Sequence, residues 1–170
     1  MFTLKTVEPE EAEGVVKDIY GIFPPGVPVP APMRLLSASP GLMAIQAGAL
    51  RYYMGHPRLS FQLLAAIRYI ASRAYDYPFC VSFNKDLLCR AGMAEDDFAS
   101  LEADMAEVPF EENETALLAF VKKMVSDPKS VTKADVDALR AAGWADADIL
   151  DAAGHAASLQ APAMLMKAFA

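Results

Sequence analysis

Apolar residues recur along most of this chain at spacings of three and four, and strand-like alternation is scarce. The strongest pattern follows Ser60, where Leu63, Leu64, Ile67, Ile70 and Ala71 define one buried helix face behind a serine cap. Ser39-Pro40 is a cap followed by proline at the first helical position, and it predicts a helix running to Gly55. Pro9-Glu10-Glu11 opens a short helix that ends at Gly21. Asp76, two residues before Pro78, starts a helix that reaches Arg90 and closes at Gly92. Shorter helices are expected over 95–105 and 113–126. Thr132 with Asp135 forms a capping-box variant, and the helix it opens closes at Gly143. A last helix begins near Asp146 and is expected to kink before Pro162.

The stretch 23–32 breaks this rhythm with five prolines in ten residues. It reads as an extended strap, because proline in a helix interior removes a hydrogen bond and clashes with the preceding turn. The whole chain, 170 residues, suits one domain. The expectation is an all-α, single-domain helical bundle of seven or eight helices covering residues 1–170.

Composition narrows the class. With 54% hydrophobic and 22% charged residues the chain can bury a core and is too apolar for intrinsic disorder. No apolar run approaches the length of a membrane span, and Met1-Phe2-Thr3-Leu4-Lys5 meets acidic residues by Glu8, so neither a membrane partner nor a secretory leader is expected. Two cysteines make no disulfide framework, which fits a reducing, cytoplasmic setting. A net charge of −7 argues against a nucleic-acid partner. That charge is unevenly spread. Residues 51–90 carry six basic groups against two acidic ones, while 91–121 carry nine acidic groups and no lysine or arginine. The two segments are a mixed stretch beside a solvated acidic face, or they pair with each other within a chain or between subunits.

Little of the usual catalytic vocabulary is present. His56 and His155 lie far apart and neither has a second ligand at helical spacing, so no metal is expected. His56 sits in a Gly-His-Pro turn facing solvent, and His155 reads as a partly buried, hydrogen-bonded residue of an alanine-rich helix. Glycines are scattered at helix ends, so there is no phosphate loop and no cofactor is expected. The cysteines remain. Cys80 falls in the first turn of the helix opened by Pro78, where the positive end of the helix favours a thiolate and a carboxylate at Asp76 opposes it. Cys89 is nine residues further, about 900° and roughly 13 Å along the same helix, so the two cannot pair within it. Cys89 reads as a small buried hydrophobe. Tyr77, Cys80 and Asn84 stand at i, i+3 and i+7 on one face, where a phenol, a thiol and an amide meet. Arg68 and Arg73 precede them and bring positive charge suited to an organic acid or a hydroperoxide.

The stretch from Ala71 to Gly92 resembles the core of the alkylhydroperoxidase D-like (carboxymuconolactone decarboxylase) family. The second half is similar to that family's longer, peroxidase-related members, through the run Glu114 to Lys123, then Asp127-Pro128, Val131-Thr132, Asp135-Val136, Ala138 to Gly143, and Asp148 to Ala152. Phe2 to Lys5, Ile19-Tyr20-Gly21 and Leu35-Leu36-Ser37 fit as well. The resemblance implies an antioxidant, thiol-dependent hydroperoxide reductase that assembles into dimers, trimers or hexamers. The family's reactive members carry Cys-x-x-Cys, a histidine after three further residues, and a glutamate on the preceding helix; the thiols reduce the peroxide through a sulfenic acid while the other two groups relay protons. Cys80 matches the second cysteine, the first falls on Tyr77, the histidine on Asn84 and the glutamate near Ala65. Cys80 is therefore the expected catalytic residue, and Tyr77, Asn84, Arg68 and Arg73 the expected binding residues. Two further readings stay open: a non-catalytic relative that binds a small molecule or acts as an oligomeric scaffold, and a decarboxylase-like or isomerase-like reaction in a rebuilt pocket.

Overall fold

The structure, a computed structural model, describes residues 2–23, 28–105 and 107–170. It is all-helical, and no strand occurs among these residues. Part of the proline-rich strap, residues 24–27, lies outside them. The backbone divides into two compact units, Met1–His56 with Met164–Ala170, and Pro57–Ala163.

The first unit holds helices α1 (Gly14–Tyr20), α2 (Ala31–Leu36) and α3 (Pro40–Met54), and α1 and α2 both pack on α3. Its core is Ala12, Val16, Ile19, Tyr20, Met43 and Ala47. The expected helix from Pro9 to Gly21 is two pieces, a 3-10 turn over Pro9–Glu11 and then α1. The strap is also shorter than expected, because Ala31 and Pro32 already belong to α2. A proline in the first turn has no intrahelical N–H bond to lose, so five prolines in ten residues do not exclude a helix that takes the last of them into its first turn.

The second unit is built around α4 (Phe61–Ala74), which packs against α5 (Pro78–Arg90), α7 (Glu112–Ser126) and α9 (Asp146–Ser158). Nine residues of α4 are buried, from Leu63 to Ser72, so it is apolar nearly all round, as a central helix must be. Ser60 Oγ accepts from Leu63 N at 3.1 Å and fixes its start. α6 (Glu95–Glu102) and α8 (Lys133–Ala141) are shorter, and α10 (Gln160–Phe169) begins in this unit while its part from Met164 onward belongs to the first. The expected kink before Pro162 falls as a one-residue break at Leu159, whose backbone stays in the right-handed helical region, since Pro162 has no N–H to offer the carbonyl of Ser158. That break and α2 raise the helix number above the expected eight.

Both glycine stops behave as expected. Gly92 and Gly143 have φ of +104° and +93°, and each closes a Schellman turn: Met93 N donates to Leu88 O, and Trp144 N to Leu139 O. Thr132 N donates to Asp135 Oδ2 at 2.7 Å, completing the box at the head of α8. α6 stops at Glu102, short of the expected residue 105. Lys122 Nζ, from α7, reaches the carbonyls of Leu101, Glu102 and Ala103 at 3.3, 2.5 and 2.5 Å and satisfies the orphan acceptors of that helix end. Lys122→Met keeps the stem and removes the ammonium. It is expected to cost about 1–2 kcal/mol and to speed amide hydrogen exchange in the last turn of α6. Unchanged protection there would show that the lysine does not cap the helix.

Two ion pairs, and not the two segments as a whole, join the basic and acidic stretches within the chain. Lys85 bonds Glu95, while Tyr69 Oη and Arg73 Nη2 donate to Glu102 at 2.5 and 2.8 Å.

Candidate functional site

The turn between α4 and α5 builds the site. Asp76, expected to cap α5, serves α4 instead: with φ of +50° it is the left-handed residue of a third Schellman turn, in which Tyr77 N donates to Ser72 O at 2.9 Å. Aspartate tolerates this conformation better than most residues that carry a side chain. Tyr77 becomes the cap position of α5, without a side-chain capping bond. An apolar contact between the two residues so joined frequently accompanies a Schellman turn. Here they are Ser72 and Tyr77, 0% and 3% exposed, which sets two hydroxyls beside the first turn of α5.

Cys80 sits in that turn, 9% exposed. One helical turn later Asn84, fully buried, donates Nδ2 to Cys80 O at 2.7 Å and accepts at Oδ1 from Arg68 Nε at 2.7 Å. Arg68, one turn before Ser72 on α4, also donates Nη1 to His155 Nε2 at 3.2 Å, which makes the protonated nitrogen of the neutral imidazole Nδ1. Three helices thus bring together Arg68, Ser72, Tyr77, Cys80, Asn84 and His155, all within the second unit.

Electrostatics define what this cluster can do. Burial pushes the Cys80 thiol above its ordinary value, and the Tyr77 hydroxyl, the Arg68 charge and the Ser72 hydroxyl each pull it back. The depression expected from the helix start does not prevail. Tyr77 is raised, by burial first and then by Cys80, so it keeps its proton. Burial lowers Arg68 to about 10 and, with Arg68 beside it, holds His155 near 3. The Tyr77 and Ser72 hydroxyls are buried and complete no well-formed hydrogen bond, although both lie near enough to the Cys80 sulfur to favour its thiolate.

Of the residues expected from the sequence, Cys80, Tyr77, Asn84 and Arg68 are brought together. Arg73 is not: it faces away, exposed, on Glu102. Cys89 is exposed rather than buried, because the buried line of α5 runs through Cys80, Asn84 and Leu88. His155 is buried and hydrogen-bonded as expected, yet its place beside Arg68, 87 residues away in sequence, leaves no local signal. Ser72 had one signal, the single serine of α4, set among the apolar residues of its buried face. Two open clefts of about 290 and 380 Å³ lie elsewhere, the larger lined by residues such as Tyr69, Arg73, Glu102 and Lys122. Among the described residues there is no cluster of three metal-ligating side chains, and no helix is long and apolar enough to cross a membrane.

The architecture is one already seen in a peroxidase-related helical protein. The solved structure of an uncharacterized peroxidase-related protein from Silicibacter sp. TM1040 matches 99% of this chain and 92% of its own, with a TM-score of 0.77 at 16% identity. At that identity the likeness speaks for the fold. No family model and no curated protein matches the chain.

Proposed function

We propose that the protein is a hydroperoxide reductase working with one cysteine, Cys80, and an external thiol. The observation that carries this reading is a buried thiol beside two buried hydroxyls that complete no well-formed hydrogen bond, with the Arg68 charge near enough to favour its thiolate. Such donors suit an oxygen that gains negative charge as a peroxide bond breaks. The Cys80 thiolate attacks the terminal, hydrogen-bearing peroxide oxygen, an S–O bond forms as the O–O bond breaks, and the alkoxide leaves and takes a proton from solvent to become the alcohol. Cys80 is then a sulfenic acid. A small thiol condenses with it to a mixed disulfide and water, and a second thiol releases Cys80 as its own disulfide forms. Position 77 holds no resolving cysteine, and exposed Cys89 lies about 13 Å along α5, so the reductant comes from outside the chain.

The thiol is raised by burial, so sulfenate formation is expected to go on accelerating as pH rises past the ordinary thiol range and the thiolate fills. Intact-mass analysis with a dimedone-type trap, after brief exposure to an organic hydroperoxide, checks this. Wild type should gain one adduct on Cys80 and Cys80→Ser none there. An unmodified Cys80 under excess peroxide at high pH would sink the reductase and favour the alternative, a binding protein that keeps the fold without the chemistry.

A further inference from the structure

Arg68 is a cation in a place that supplies no anion. Its two acceptors, Asn84 Oδ1 and His155 Nε2, belong to neutral groups, since His155 gains a proton only near pH 3. Among the described residues no carboxylate lies within ion-pair distance of it, and Nη2 meets no acceptor. Most of the side chain is packed, yet part of it remains accessible to solvent. A guanidinium buried without a counter-charge is costly, and most proteins remove that cost with an internal carboxylate. Here the lock on Nε and Nη1 fixes the plane of the fork and leaves the Nη2 edge presented, the geometry that receives a planar oxyanion.

We infer that Arg68 is the receptor for a carboxylate, and that the molecule taken up at Cys80 is an organic acid whose carboxylate sits on Nη2. The inference rests on the reductase reading only in naming that molecule as substrate, a hydroperoxide bearing a carboxylate. The binding itself does not depend on it. Asn84 and His155 act as positioning residues. Because the only negative charge that Arg68 otherwise meets is the Cys80 thiolate, the two anions compete for it. A bound carboxylate therefore makes Cys80 harder to ionise, and an ionised Cys80 weakens carboxylate binding by the same factor.

Titration calorimetry of the full chain without peroxide tests this, with acetate, benzoate, benzamide and inorganic phosphate as probes. At least one carboxylate should bind, with benzoate at least about tenfold tighter than benzamide, equivalent to about 1.4 kcal/mol. Arg68→Gln should abolish the preference. Should Arg68→Gln fail to fold, the wild-type contrast and a second measurement still decide: in Cys89→Ser, benzoate should move the thiolate absorbance of Cys80 to higher pH. Equal binding of benzoate and benzamide, no binding of either carboxylate up to about 50 mM, tighter binding of phosphate, or an unmoved Cys80 titration would each overturn the assignment. A protein that forms the sulfenate but ignores carboxylates loses this inference alone. One that binds benzoate and never forms the sulfenate loses the reductase reading alone.

Discussion

Acidification from about pH 7 to pH 3 is expected to remove on the order of 4 kcal/mol of folding stability through His155 alone. The imidazole is held neutral to about 3, first by burial and then by the Arg68 charge beside it. In the unfolded chain the same ring takes up a proton near 6.5. Between those values the unfolded state binds the extra proton and the folded state does not, so stability rises with pH across this window and falls as the solution is acidified. Above about 6.5 the contribution is complete, and below about 3 it changes no further. Asp135 acts in a separate, lower range: Lys123, then Thr132, hold its carboxyl near 2, so its share is present above 3.8 and disappears only as pH falls towards 2. Urea unfolding at several pH values between about 7 and 4.5 therefore isolates the histidine. Wild type should lose up to about 1.4 kcal/mol per pH unit once below 6.5, with an unchanged urea slope. His155→Gln, which keeps an acceptor for Arg68, should flatten the profile. A flat wild-type profile would mean that His155 opens to solvent and that the Arg68 fork is not held as described.

That residue also marks where the sequence stops being readable. Helix ends set by neighbours in the chain were legible, because a cap or a glycine stop acts over a few residues: Ser60, the Thr132–Asp135 box, Gly92 and Gly143 all do in the structure what their spacing predicts. Asp76 departs from its expected role for an equally local reason. Aspartate shortly before Pro78 has the look of a helix cap, and the same residue type also tolerates the left-handed turn that ends α4. Only the packing of α4 on α5 decides between them. The face of Tyr77, Cys80 and Asn84 is legible in the sequence because periodicity fixes which side chains of a helix share a side. What that face meets is not. His155 arrives from α9, Ser72 is delivered by the turn, and Arg73 is drawn away by Glu102 from α6. The same limit applies to the thiol: the helix start that favours ionisation is visible in sequence, whereas the burial that outweighs it is a property of three packed helices.

Trp144→Ala is expected to cost about 3–5 kcal/mol, among the largest effects of any single substitution in the chain. The side chain is 4% exposed and is tied on every side. Its Nε1 donates to Asn113 O, in the first turn of α7, at 2.8 Å, and its own backbone N closes the Schellman turn that ends α8. The Arg58 guanidinium lies over the ring at 4.9 Å from the centroid while donating to Gly143 O and to Asp148, both at 2.8 Å. Asp148 in turn accepts from Ala145 N at 3.0 Å and sets the start of α9. One indole therefore joins the start of α7, the end of α8 and the start of α9, the helix that carries His155 to Arg68. Trp144→Phe keeps an aromatic face for Arg58 and most of the buried area but leaves the Asn113 carbonyl without its donor, so it should cost only about 1–2 kcal/mol. Trp144 is the chain's single tryptophan, so the comparison is made by circular dichroism in urea rather than by fluorescence. Equal losses in the two variants would place the energy in the hydrogen bond to Asn113. A loss in the alanine variant below about 1.5 kcal/mol would show that the three helix ends hold without the ring. In the expected case, the alanine variant should also blunt the pH dependence carried by His155, because a loosened α9 no longer keeps that imidazole dry beside Arg68.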